Sequence, residues 1–101
     1  MAVGALRQVE NCLHRMPEIE DVAVFGVPDD EFGERVHAAV QLRPGAHATA
    51  EQVIEYARAR IARFKAPRQV SFHAQLPRTE HGKILKRQLR DAHWASRKSK
   101  L

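Results

Sequence analysis

The chain has 101 residues, 44% of them hydrophobic and 29% charged, with a formal net charge of +5. That composition suits one small folded domain rather than a disordered segment, and no apolar run approaches the ~20 residues of a membrane-spanning helix. A single cysteine, Cys12, excludes an internal disulfide and any zinc site built from several thiolates.

From about Val3 to Arg15, Leu6, Val9 and Leu13 recur at three- and four-residue spacing, with Cys12 and Met16 beside them. This predicts an amphipathic helix ended by Pro17. Asp21 to Val27 is short, mostly apolar and β-branched, the pattern of a buried strand. Pro28 to Glu34 is expected to be an acidic loop, Arg35 to Leu42 a second strand, and Arg43-Pro44-Gly45-Ala46 a turn. The two strands are expected to pair antiparallel across the acidic loop. Thr49 followed by Gln52 is a capping-box pattern that opens a second helix. Its apolar stripe is Val53, Ile54, Ala57, Ile61 and Phe64, with Arg58, Arg60 and Arg63 largely on the other side. This helix should stop before Pro67. Gln69 to Phe72 reads as a third strand. Ile84 to Trp94 reads as a third helix, with Ile84, Leu85, Leu89 and Ala92 inward and Trp94 packed on the sheet or first helix. Residues 1–95 then form the domain, and 96–101 a basic, frayed tail. The fold class is α+β: a small, mainly antiparallel sheet of about three strands packed with about three helices, in the order α-β-β-α-β-α.

Charge is unevenly spread. Glu18 to Glu34 holds seven acidic residues and no basic one, whereas Pro77 to Leu101 holds eight basic residues against Glu80 and Asp91. A uniformly basic nucleic-acid binder would not look like this, and the single tryptophan, Trp94, is too little for a base-stacking platform. No pair among the six histidines has the four-residue spacing of helical metal ligands, and no metal site is expected. With no signal-peptide pattern and no disulfide, a cytoplasmic setting is expected.

The positive field centres on Pro77-Arg-Thr-Glu-His-Gly-Lys83. Pro77 marks a break. Gly82 allows positive φ or close backbone approach just before Lys83, whose ammonium suits a phosphate or a developing anion. A nucleotide-binding P-loop would need glycine at position 77 and Ser or Thr at 84, where this chain has Pro77 and Ile84. Lys86, Arg87 and Arg90 read as a solvated helix face or phosphate-steering charge.

This stretch resembles the closing motif of the adenylate-forming enzymes, the superfamily of acyl-CoA synthetases, peptide-synthetase adenylation domains and luciferases. Three further segments resemble the family in the same order. Val24-Phe-Gly-Val-Pro-Asp29 followed by Gly33-Glu34 is similar to its "VVGVPD…GE" hairpin, Leu42-Arg-Pro-Gly45 to the turn after it, and Phe64-Lys65-Ala66-Pro67 to its "YKVP" segment. Together they span roughly Val9 to Arg90.

The resemblance implies the mobile C-terminal lid domain of an ATP-dependent acyl-CoA synthetase, inactive alone. Lys83 matches the catalytic lysine of acyl-adenylate formation, with Pro77, Arg78, Thr79 and Gly82 as motif support. It also implies ATP with magnesium and coenzyme A as cofactors of the intact enzyme, a carboxylic acid substrate, and a large N-terminal adenylation domain as partner. The acidic loop and the arginines of the second helix are candidates for a second face used once the domain has rotated, with Arg58 a contact to coenzyme A phosphate. Lys65 reads as a structural or electrostatic residue near the strand start, with cofactor binding as its alternative role. A peptide-synthetase adenylation domain is the less favoured assignment, since no carrier domain follows Trp94. The rival from another class is a non-catalytic, stand-alone interaction module using the basic end as its surface.

Overall fold

The computed structural model describes residues 3–29 and 33–99, and the side chains of residues 4–29 and 33–94. In chain order these form α1 (Val3–His14), β1 (Ile19–Asp29), β2 (Gly33–Leu42), α2 (Ala50–Arg60), a 3-10 turn (Arg63–Lys65), β3 (Gln69–Phe72) and α3 (Lys86–Ser99). The expected α+β order is the observed one.

β1 and β2 pair antiparallel from Ile19↔Leu42 to Asp29↔Gly33. The acidic loop is therefore shorter than expected. Pro28, Asp29, Gly33 and Glu34 belong to the ladder, while Asp30 and Glu31 lie outside the described residues. β1 is apolar without strict alternation because helices cover both faces of the sheet. On one side Val22, Val24, Val36, Ala38 and Val40 pack with Val9, Cys12, Leu13 and Met16 of the α1 segment and with Val53 and Ala57 of α2. On the other, Ala23, Phe25, Val27 and Ala39 meet Leu76, with Ile84 and Leu89 packed against them.

β2 lies between β1 and β3, and β3 runs parallel to it, from His37↔Gln69 to Val40↔Phe72. The sheet is thus mainly antiparallel, as expected, with β3 added in parallel. The cause is the connection: α2 carries the chain back along the sheet, so β3 starts at the same end as β2. The Thr49 cap of α2 is as expected, with Gln52 N–H on Thr49 Oγ1 at 3.1 Å and Thr49 N–H on Gln52 Oε1 at 2.9 Å. α2 ends sooner, at Arg60, where Ile61 turns extended (φ −130°, ψ 171°). That break takes Phe64 off the helical stripe and leaves it 83% exposed rather than inward.

β1 is an edge strand, a place where unpaired backbone groups invite aggregation. Side chains close this edge. Val22 N–H donates to Asp21 Oδ1, Val24 N–H to Glu10 Oε2, and Gly26 C=O accepts from Trp94 Nε1 at 3.2 Å. Trp94 therefore packs on the sheet, as expected. A Cβ on Gly26 would lie 2.8 Å from Glu34 Oε1, so the Gly26–Glu34 pair is sterically complementary.

Polar chemistry is buried at His37, which is 1% exposed. Its Nε2 lies 2.8 Å from Ser71 Oγ and its Nδ1 3.2 Å from Gln69 Oε1, and its ring centroid is 4.7 Å from that of His93. Burial above all lowers its pKa from 6.5 to about 4. The Gln69 hydrogen bond opposes that shift, and His93, His73 and Arg35 add to it. Above pH 6.5 the imidazole is neutral folded and unfolded alike. As pH falls from 6.5 towards 4 the unfolded chain gains a proton that the native one refuses, so stability is lost across that window. The loss from this group should be about 2 kcal/mol between pH 7 and pH 5. Urea unfolding at both pH values should show it, and His37→Gln should flatten the difference. An unchanged difference in His37→Gln would assign the effect to another group.

Candidate functional site

Pro77 to Leu85 fold into a small hairpin tied by backbone. Thr79 N–H donates to Lys83 O at 2.8 Å, Gly82 N–H to Thr79 O at 2.9 Å, and Leu85 N–H to Pro77 O at 2.8 Å. Arg78 and Ile84 form an isolated antiparallel bridge. Gly82 has φ +84°, the left-handed conformation that closes a three-residue hairpin loop at no Cβ cost. Thr79 adds a third tie, since its Oγ1 accepts from Lys83 N–H at 3.2 Å. The motif residues thus have separate physical jobs in holding Lys83. Pro77 supplies a carbonyl, Thr79 a carbonyl, an amide and a hydroxyl, and Gly82 the turn.

This hairpin also shifts the start of the third helix. Ile84 and Leu85 are engaged by Arg78 and Pro77, so α3 begins at Lys86, two residues later than expected. Leu85 is 37% exposed and Ala92 is exposed, against the inward positions expected, while Ile84 and Leu89 do pack on the core. The helical backbone continues through 96–99, and 100–101 lie outside the described residues.

The basic side chains around Lys83 are nearly all neutralised locally. Arg78 Nη2 pairs with Asp21 Oδ2, and Lys86 Nζ lies 2.6 Å from Glu10 Oε2. Arg87 is 3.9 Å from Asp91 and Arg90 is 3.7 Å from Glu34. From Pro77 to Trp94, Lys83 alone has no carboxylate within ion-pairing distance among the described residues, and its side chain is exposed. A backbone-tied loop thereby presents to solvent an ammonium that has no acidic partner among the described residues. Such a group can meet phosphate or carboxylate charge brought from outside this domain.

Arg58 and Lys65 are not part of this cluster. Arg58 sits exposed on α2, 3.2 Å from Glu55 Oε1, and Lys65 follows in the 3-10 turn with Nζ 3.0 Å from Gln8 Oε1. Both belong to the α1–α2 layer, across the sheet from the core cluster that takes in Ile84 and Leu89. Asp21 and Glu10, which hold Arg78 and Lys86, were missed in the sequence. Their only signal is an acidic residue in or beside an otherwise apolar segment. Cys12 is buried, and burial pushes its thiol pKa up, which leaves it unreactive. Among the described residues no group of three His, Cys, Asp or Glu side chains is placed to hold a metal ion, and no helix is long and apolar enough to cross a membrane.

A hairpin-presented lysine on a three-stranded sheet with two flanking helical layers defines a recognisable class. Residues 8–83 match the AMP-binding enzyme C-terminal domain, and the chain belongs to that family. It is 43% identical over 83 residues to a long-chain-fatty-acid–CoA ligase of Bacillus subtilis, a match covering 82% of this chain and 15% of that enzyme. Among solved structures, an acyl-CoA synthetase of Brucella canis superposes with a TM-score of 0.85 at 36% identity, over 91% of this chain and 18% of that one. The amide bond synthetase McbA of Marinactinospora thermotolerans superposes with a TM-score of 0.79 at 36% identity, over 86% of this chain and 18% of that one. The chain therefore spans less than a fifth of the length of these relatives.

Proposed function

We propose that this chain acts as the mobile C-terminal domain of an ATP-dependent acyl-CoA synthetase, with Lys83 serving the first half-reaction. The observation that carries this is the Lys83 ammonium, held just after the Gly82 turn of the Pro77–Leu85 hairpin and without an acidic partner among the described residues. In that half-reaction a carboxylate oxygen attacks the α-phosphorus of ATP, the bond to the bridging oxygen breaks, and pyrophosphate leaves with the electron pair. Two anions must approach, and charge builds on the phosphoryl oxygens. A preplaced ammonium stabilises that charge with no reorganisation at the moment of reaction. Magnesium would arrive with the nucleotide. The ATP and acyl pockets belong, in this reading, to a large N-terminal adenylation domain.

For the second half-reaction we propose that the domain turns as a rigid body and places its other layer, with Arg58 and Lys65, over the adenylate and coenzyme A. Their position in the layer opposite to that of α3 supports two separate working faces. A thiol acceptor is favoured over an amine because the family's curated relatives include coenzyme A ligases.

The purified 101-residue chain should give no ATP–pyrophosphate exchange with any carboxylic acid. Grafted in place of the matching C-terminal segment of the Bacillus subtilis ligase, it should restore acyl-CoA formation to the truncated enzyme. Exchange by the isolated chain that survives repurification would overturn the reading. So would a folded graft that forms no acyl-adenylate.

A further inference from the structure

We propose that Asp21, on the edge strand β1, is the positioning residue for the Lys83 hairpin, acting through the Arg78 guanidinium. This rests on the catalytic reading of Lys83 and adds a residue to it. The side chains form a directed relay. Asp21 Oδ2 holds Arg78 Nη2, and Arg78 Nη1 donates to Gly82 O at 3.2 Å. Gly82 O belongs to the peptide group whose nitrogen is that of Lys83, so its direction sets the plane from which the lysine side chain departs. A guanidinium is a rigid planar fork. With one arm fixed on a carboxylate, its other arm is aimed. Released from Asp21, it would rotate on a flexible stem and hold Gly82 O only part of the time.

The Asp21 carboxylate is itself well anchored. Its side chain is 17% exposed, Oδ1 accepts from Val22 N–H at 2.9 Å, and His14 Nε2 lies 3.6 Å away at the end of α1. One carboxylate therefore ties the hairpin, 57 residues further along the chain, to the sheet edge and the first helix. Backbone bonds within the loop set its shape. The Asp21–Arg78 pair sets its orientation on the domain. Asp21 need not touch substrate to matter, because misplacing a reacting group by ~1 Å can cost on the order of 100-fold in rate.

Two measurements on Asp21→Asn test this, with Arg78→Lys as its partner variant. In the 101-residue chain, amide exchange at Gly82, Lys83 and Leu85 should quicken by about tenfold or more, while the amides of Ala39 and Val40 in the central strand keep their protection. In the grafted ligase, Asp21→Asn should slow acyl-adenylate formation by about tenfold or more and leave thioester formation from pre-made adenylate within about twofold. The Asp21→Asn/Arg78→Lys double variant should be no slower than the worse single, as expected for residues acting in one relay. Unchanged hairpin exchange would overturn the proposal. Equal loss in both half-reactions would do the same, by reducing Asp21 to a general stability residue. If Lys83→Ala abolishes adenylation while Asp21→Asn retains it, the relay is wrong and the catalytic reading stands. If Lys83→Ala retains adenylation, the catalytic reading itself falls and the relay's role falls with it.

Discussion

Lys83→Ala in the grafted ligase should depress acyl-adenylate formation by about 10²–10³-fold, equivalent to about 3–4 kcal/mol of transition-state stabilisation. Thioester formation from pre-made acyl-adenylate and coenzyme A should change little, because the proposed rotation of the domain would withdraw the lysine from the second half-reaction. The size of the effect follows from the local charge. Arg78, Lys86, Arg87 and Arg90 each face a carboxylate, so none is placed to substitute for the missing ammonium. Lys83→Arg should also be poor, since a planar fork does not reproduce a compact point charge at the same distance from the loop. Measuring both half-reactions on one protein separates the possibilities. Equal loss in both would mean a folding or general binding defect, and full retention of adenylation would remove Lys83 from the mechanism. Because Lys83 is exposed and Gly82 carries the turn, the substitution should leave the unfolding midpoint of the isolated chain nearly unchanged.

Leu13→Ala should lower the unfolding free energy by about 2–5 kcal/mol. Leu13 is 0% exposed, in a cluster that includes Val9, Cys12 and Met16 beside it, Val22 and Val24 of β1 and Val53 of α2. Truncation there removes apolar contact on several sides, and interiors packed like crystals relax only partly into the space. The consequence reaches the site. α1 carries Glu10, which holds both the Val24 amide and Lys86, and ends at His14 beside Asp21. Loosening α1 should therefore raise amide exchange at Val24 as well as lower stability. Chemical denaturation of the 101-residue chain settles the point. A loss under about 0.5 kcal/mol, the scale of surface substitutions, would show that α1 is only loosely attached to this core.

Local chemistry made much of this protein readable. The Leu6/Val9/Leu13 spacing, the apolar run around Val24 and the Thr49–Gln52 cap each satisfy their own backbone and side-chain needs within a few residues. Helix, strand and cap therefore follow from neighbours alone. The same holds for Gly82 before Lys83, where a residue without Cβ marks a left-handed turn. Three of the four motif segments that pointed to the family carry a glycine at positive φ, Gly33, Gly45 and Gly82, a geometry that other side chains would strain. What the sequence could not show depends on partners far along the chain. The direction of β3 is set by where α2 returns the backbone, which no property of Gln69–Phe72 encodes. Phe64 fits a helical stripe on paper, and it faces water because the helix breaks at Ile61. Ile84 and Leu85 look like the first turn of α3, yet the hairpin claims their backbone first. The roles of Asp21 and Glu10 lie in contacts with Arg78 and Lys86 across 57 and 76 residues, and His37 reads as an ordinary polar strand residue until the sheet buries it. Electrostatic pairing and burial act through space. Only the folded chain shows that Lys83 is, among the described residues, the basic side chain of its neighbourhood left without an acidic partner.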